Sequence, residues 1–411
     1  MLALMALGVS GVRAAEQADP SLGGKTLRQA AYVAVSLLAF LVTTTVHYKR
    51  IGRASYPLFA VNLALLVLVL QLEAIRNSHR WINLKLFQVQ PSELAKLTYI
   101  LALAWYLRYR RNYRRVVGLI PPFVLTLIPA GLILIEPDLG TTLLLIPTLF
   151  FMLFMAGAKI KHLLAIAAVA AAVMFFPVPQ SLSALGGAEA AGSAPLAYWR
   201  GAIGGKEYVV RAAPLLFMYP RQVGRIRGWL SQSGAVTADD EAYQLRRSKM
   251  ILGAGGLRGN DQLEQMNFWF WKLPDDHTDF IYSVIGGQWG FLGCVGVMLL
   301  YLVIFVCGVE VASLTHDPFG RLLVIGVLAL LFSQIFINVG MTMGVMPITG
   351  MTLPLVSYGG SSMVVNAVAL GLLVNVGRHR PILLGRRPFE YRQRHKQPPD
   401  YERVLGGSRT S

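Results

Sequence analysis

Apolar residues gather in long runs separated by short polar interruptions, and a membrane-spanning helix needs about 20 mainly apolar residues. Scanning at that length places candidate spans at roughly 2–14, 29–47, 54–73, 91–107, 116–135, 141–157, 162–178, 280–308, 320–343 and 353–377. The pattern predicts an all-α polytopic membrane protein of ten transmembrane helices, with a large loop between helices 7 and 8. The organisation expected is seven helices over 1–178, a polar loop over 179–279 carrying interfacial helices, three more helices over 280–377, and a basic tail over 378–411. The first run is short for a span and is followed by Val12-Arg13-Ala14-Ala15, which imitates a signal-peptide cleavage site. No basic stretch precedes Leu2, so the preferred reading is a chain that starts inside a helix, with a truncated or misassigned beginning.

Composition agrees with this pattern. Of 411 residues, 55% are hydrophobic and 14% charged, which excludes an ordinary soluble enzyme. The net charge of +17, in so apolar a chain, points to membrane orientation and contact with anionic lipid rather than to nucleic acid. With the N-terminus inside, the Lys- and Arg-rich turns around 47–53, 108–115, 159–162 and 310–321, and the tail from Arg378, all fall on the cytoplasmic side. The short turn at 136–140, without Lys or Arg, and the nearly neutral turn at 344–352 fall outside, and so does the 179–279 loop. Long loops translocate regardless of charge, so its arginines do not conflict with that topology. The loop opens on a Gly-, Ala- and Ser-rich stretch over 181–195 that reads as flexible, then mixes Trp, Tyr and Phe with basic residues, a composition suited to the membrane interface. The two cysteines, Cys294 and Cys307, exclude a disulfide scaffold or a Cys-based metal site and read as inert core thiols.

Polar groups inside a membrane are expensive, which makes four polar clusters candidates for chemistry. The first is Gln90-Pro91-Ser92-Glu93-Leu94-Ala95-Lys96, preceded by Arg80-Trp81. Glu93 and Lys96 share a helix face, and a structural ion pair is the favoured reading over a role in transport or catalysis. The second is Glu136-Pro137-Asp138-Leu139-Gly140-Thr141-Thr142, where Asp138 can cap the following helix or, with Glu136, offer oxygen ligands to a divalent cation. In the third, Leu273-Pro274-Asp275-Asp276-His277-Thr278-Asp279-Phe280, three carboxylates and an imidazole crowd the point where the loop re-enters the membrane. An Asp at such a low-dielectric boundary suits a general base, whereas His277 suits orientation of the loop. The fourth runs from Pro347 to Ser362 and mixes glycines with hydroxyls as it enters a span, which implies a broken or closely packed helix start.

Taken in order, these stretches closely resemble the SEDS family, the RodA/FtsW-type shape, elongation, division and sporulation proteins. The resemblance rests on 87–96 with its Gln-Pro-Ser-Glu core, on Pro137-Asp138-Leu139-Gly140-Thr141, and on Gln222 with Arg225. It continues through Tyr243-Gln244, Gly253, Gly255, Gly256 and Gly259, then Pro274 with His277 to Ile281, then Gln334, Asn338 and 347–362. It implies ten spanning helices in the bacterial cytoplasmic membrane, peptidoglycan glycosyltransferase activity on lipid II, and a class B penicillin-binding protein as transpeptidase partner. Asp279 matches the family's essential acidic residue. Thr349 resembles the RodA branch, since the FtsW branch usually carries Lys there. The chain departs from the family pattern at Arg221, where Tyr is usual, at Asn260 for glycine, at Glu136 for Gln, and in the bulky aromatic stretch 261–271.

The reaction implied joins a sugar hydroxyl of one lipid-linked disaccharide to the anomeric carbon of another and displaces a lipid pyrophosphate. Asp279 would be the base, and Arg221, Arg225, His277, Ser357 and Ser361 would contact substrate. A divalent cation, Mg²⁺ or Mn²⁺, could assist departure from among Asp138, Asp276 and Asp279. Three rivals keep the same spans: a lipid II flippase, a scaffold that recruits the synthase, and an O-antigen-ligase-like sugar transferase.

Overall fold

The computed structural model describes residues 1–18, 23–72, 80–83, 88–109, 115–136, 138–174, 177–181, 197–203, 206–212, 220–230, 243–259 and 277–379. The flexible-reading stretch 182–195, the aromatic stretch 261–271 and the tail from 380 lie outside the described residues. The first half forms α1 (Leu2–Ala18), α2 (Lys25–Thr45), the short α3 (Tyr48–Arg53), α4 (Ser55–Val69) and α5 (Pro91–Leu107). It continues with α6 (Ile120–Ile135), α7 (Leu139–Met155) and α8 (Ile160–Met174). Beyond the polar loop come α11 (Ile281–Leu314), α12 (Pro318–Met343) and α13 (Gly360–Arg378). Among the described residues, five helices are long and apolar enough to cross a membrane: α2, α6 with its leading turn, α11, α12 and α13. Helices α4, α7 and α8 are equally apolar but shorter.

The bundle is built around α5 and α12. Both are apolar on nearly every face, and α12 is buried along almost its whole length, the pattern of a helix enclosed by others. Helix α12 packs on α5, α7, α11 and α13, while α2 runs along α13 and α4 along α5. The outer faces of α2, α6, α8 and α11 expose Leu38, Leu127, Val169, Leu302 and Val306, which costs nothing against lipid tails. Cys294 is buried, but Cys307 lies on the exposed side of α11, so only the first is a core thiol; both are free. Helix α1 docks closely enough that a Cβ on Gly8 would meet the carbonyl oxygen of Val356 at 2.3 Å.

The all-α expectation holds for the bundle and missed two small antiparallel sheets outside it. Strands β1 (Ile82–Asn83) and β2 (Gln88–Val89) form a hairpin just before α5. Within the loop, β3 (Pro177–Ser181), β4 (Ala197–Ile203) and β5 (Lys206–Ala212) pair in the order β3-β5-β4. The loop also contains α9 (Pro220–Leu230) and α10 (Tyr243–Ala254). Helix α10 lies on α11 and α12, and Trp229 of α9 donates its indole N–H to the carbonyl of Gly344 at the end of α12, 2.9 Å away. Two elements depart from regular geometry beside this loop. Helix α11 is kinked at Gly290, whose φ of 63° and ψ of −160° are non-helical. The residues 344–359 between α12 and α13 form turns rather than helix, with Leu355 at φ 64°. The expected broken entry to the last span is therefore present, and the helix itself begins only at Gly360.

Candidate active site

The start of α5 follows from its sequence. Pro91 occupies the first helical turn, where a missing N–H costs nothing, and Glu93 favours the positive helix end. One turn on, the Glu93 carboxylate and Lys96 ammonium meet at 2.8 Å, with side chains only 9% and 1% exposed. Removing one partner of so buried a pair costs about 3–5 kcal/mol, because the survivor is left as an uncompensated charge. Gln90 and Ser92, immediately before, reach across to α7, where each donates to Oδ2 of Asp138 at 3.0 Å. The Thr141 hydroxyl donates to the same oxygen at 2.9 Å, and the Thr141 N–H donates to Oδ1 at 3.1 Å. Asp138 therefore caps α7. With one oxygen accepting three hydrogen bonds, it is a poor cation ligand.

Beside it, the Glu136 side chain is fully buried, and neither carboxylate oxygen has a hydrogen-bond partner among the described residues. Burial first, and the neighbouring Asp138 second, push its pKa up from 4.5 to about 8, against a smaller opposing pull from Arg80. Arg80 also donates to the Glu136 carbonyl at 2.7 Å. Among the described residues no group of three His, Cys, Asp or Glu side chains is placed to hold a metal ion, and Asp276 lies outside them.

The second polar centre forms where the loop re-enters the bundle. Asp279 stands one residue before the cap of α11 and is half-buried. Its carbonyl accepts from Asn338 Nδ2 at 2.9 Å, and the same amide donates to the carbonyl of Met351 at 2.5 Å. One side chain of α12 thus clamps the entry of α11 to the turn after α12. The Asp279 carboxylate and the half-buried Arg225 guanidinium of α9 converge over Gly350. A Cβ there would lie 3.4 Å from Oδ2 of Asp279 and 3.2 Å from Nη1 of Arg225. Gly350 has a φ of 72°, so glycine is needed both for the backbone and for this approach. Arg221 falls on the same helix as Arg225, but its side chain lies outside the described residues.

His277 is buried and held by several contacts. Its carbonyl accepts from the N–H of Tyr358 at 2.9 Å, its ring lies 5.4 Å from that of Tyr358, and Nε2 is 2.7 Å from Nζ of Lys25. Ser357 and Ser361 have structural partners. The Ser357 hydroxyl accepts from the N–H of Leu353 at 2.7 Å. The Ser361 hydroxyl donates to the Gln88 carbonyl at 2.7 Å and accepts from the Gln90 N–H at 3.3 Å. The stretch 347–362 thereby touches both polar centres and joins three of the four clusters picked from sequence to the fourth. Lys25 escaped the sequence reading, because a lysine at the end of an apolar run reads as an ordinary interfacial cation.

A helical bundle of polytopic membrane type, with an acid and an arginine converging at the point where the polar loop meets the turns after α12, defines the class. The family model described as cell cycle protein, covering FtsW, RodA and SpoVE, matches residues 1–185 and 190–382. The chain belongs to that family, the SEDS family. It is 30% identical to the peptidoglycan glycosyltransferase RodA of Treponema pallidum, over 92% of this chain and 95% of that one. It is also 30% identical to a probable peptidoglycan glycosyltransferase FtsW of Trichlorobacter lovleyi, over 85% and 82%. Among solved structures, a chain from a peptidoglycan synthase complex that coordinates polymerization and crosslinking matches with a TM-score of 0.71 and 29% identity, over 93% of this chain and 98% of that one.

Proposed function

We propose that this protein polymerises lipid II into glycan strands at the bacterial cytoplasmic membrane. The enzyme class, peptidoglycan glycosyltransferase, follows from the family together with the activities its relatives are named for. The observation that carries the finer reading is the half-buried Asp279 carboxylate converging with Arg225 on the bare face of Gly350. In the proposed step Asp279 takes the proton of an acceptor sugar hydroxyl as its oxygen attacks the anomeric carbon of a second lipid-linked sugar. The new carbon–oxygen bond forms as the bond from that carbon to the pyrophosphate oxygen breaks, and the lipid pyrophosphate departs with the electron pair. In this reading the positive charge of Arg225 offsets charge developing on the departing phosphate.

The ten-helix topology with both termini cytoplasmic rests on hydropathy and on the basic loops. A RodA-like elongation role rests on Thr349, which is buried with its hydroxyl 3.6 Å from Sδ of Met341. The class B penicillin-binding partner is supported by the structural likeness to a synthase complex chain. Labelled lipid II supplied to the purified protein in vesicles, with and without such a partner, tests the reading against a flippase. Glycan strands are expected, and lipid II that crosses the bilayer without polymer would contradict it.

A further inference from the structure

We propose that Lys25 is a positioning residue that holds Asp279 in place through His277; the inference rests on Asp279 being the base. Lys25 is the first residue of α2, where the helix dipole disfavours a cation. Its placement therefore needs a tertiary reason. The corner before it is fixed by the Glu16 carboxylate of α1, which accepts from the N–H of Gly24, from the N–H of Thr26 at 2.8 Å, and from the Thr26 hydroxyl. From this corner the ammonium reaches Nε2 of His277 at 2.7 Å and sits 5.8 Å from the centre of the Tyr358 ring.

An ammonium has only donors, so Nε2 must present its lone pair, and the neutral ring carries its proton on Nδ1. His277 is thus held at two points, its carbonyl by Tyr358 and its ring by Lys25. Two residues on, the carbonyl of Asp279 is held by Asn338. Lys25 thus ties the α1–α2 corner to the loop end that aims the carboxylate. Small displacements of a catalytic group are costly in rate, on the order of a hundredfold per Å.

The test combines kinetics with one spectroscopic readout. Lys25→Met is expected to lower kcat about tenfold or more while KM stays within about twofold, and Lys25→Arg, which keeps the donor, to recover most of the rate. In the native protein, ¹⁵N chemical shifts of His277, assigned by their loss in His277→Asn, are expected to report an unprotonated Nε2 and a protonated Nδ1. A native kcat in folded Lys25→Met, or a protonated Nε2 in the native ring, would overturn the proposal. Should Lys25→Met fail to fold, the native-ring measurement and Lys25→Arg still decide. Asp279→Asn is measured alongside: polymer from that variant would sink the base assignment itself. An inactive Asp279→Asn beside a fully active Lys25→Met would sink only the role given to Lys25.

Discussion

At the scale of single residues, the pairing of Glu93 with Lys96 was legible because helical spacing alone places them on one face, and it is found at 2.8 Å. Asp138 was legible as a helix cap for the same local reason. Glu136 was not, because its burial without a hydrogen-bond partner among the described residues depends on distant segments, including Arg80. Its pKa of about 8 in the folded protein, against an ordinary 4.5, makes stability depend on pH. Below 4.5 both folded and unfolded chains carry the proton, so burial exacts no charge penalty. Between 4.5 and 8 only the folded chain retains it, and stability falls as pH rises until the folded group ionises too. Glu136→Gln keeps the shape without the charge. Its melting temperature in detergent is expected to match the native protein near pH 4 and to exceed it by several degrees above pH 8, with no activity needed for the readout. Equal melting curves at both pH values would contradict the burial argument.

Among the elements, the glycine series from Gly253 to Gly259 was legible as a motif, but its purpose appears only in three dimensions. A Cβ on Gly255 would meet the Gly286 carbonyl oxygen at 1.9 Å, and one on Gly259 would meet that of Gln288 at 1.8 Å. The end of α10 and the kinked start of α11 thus touch backbone to backbone, with Phe291 N–H donating to the Gly256 carbonyl at 2.8 Å. A Cβ on Gly253, in contrast, would meet nothing within 4 Å among the described residues. Gly259→Ala adds a steric clash to a φ of 93°, and is expected to cost roughly 3 kcal/mol or more. Gly253→Ala should be neutral or slightly stabilising, since alanine is the better helix former. Thermal unfolding of the two variants side by side checks the contrast, and equal melting would show that the packed interface carries no such constraint. The kink at Gly290 and the turns over 344–359 were foreseen only in the second case, where glycines and hydroxyls interrupt an apolar run. Gly290 closes the stretch Gly286-Gly287-Gln288-Trp289-Gly290, a dip in hydropathy too short to interrupt the long apolar run around it.

Across the whole molecule, hydropathy was enough to locate the long apolar helices of the bundle, because an apolar segment must satisfy its backbone internally. It said little about the loop, where the pairing of β3 with β5 and the docking of Trp229 on Gly344 join residues far apart in sequence. The site shares that division. Asp279 and Arg225 were each picked out on sequence grounds, but their meeting over Gly350 is a product of the loop folding back onto the turn after α12. Lys25 entered only through the packing of α2 beside the loop end. In the proposed mechanism Asp279 performs the chemistry rather than merely holding this junction together. The most direct measurement is glycan polymerisation from labelled lipid II by Asp279→Asn, with its melting temperature matched to the native protein to establish folding. Loss of polymer by a folded variant, roughly a hundredfold or greater as expected for a lost general base, is the predicted result. Polymer at the native rate from Asp279→Asn would contradict the account.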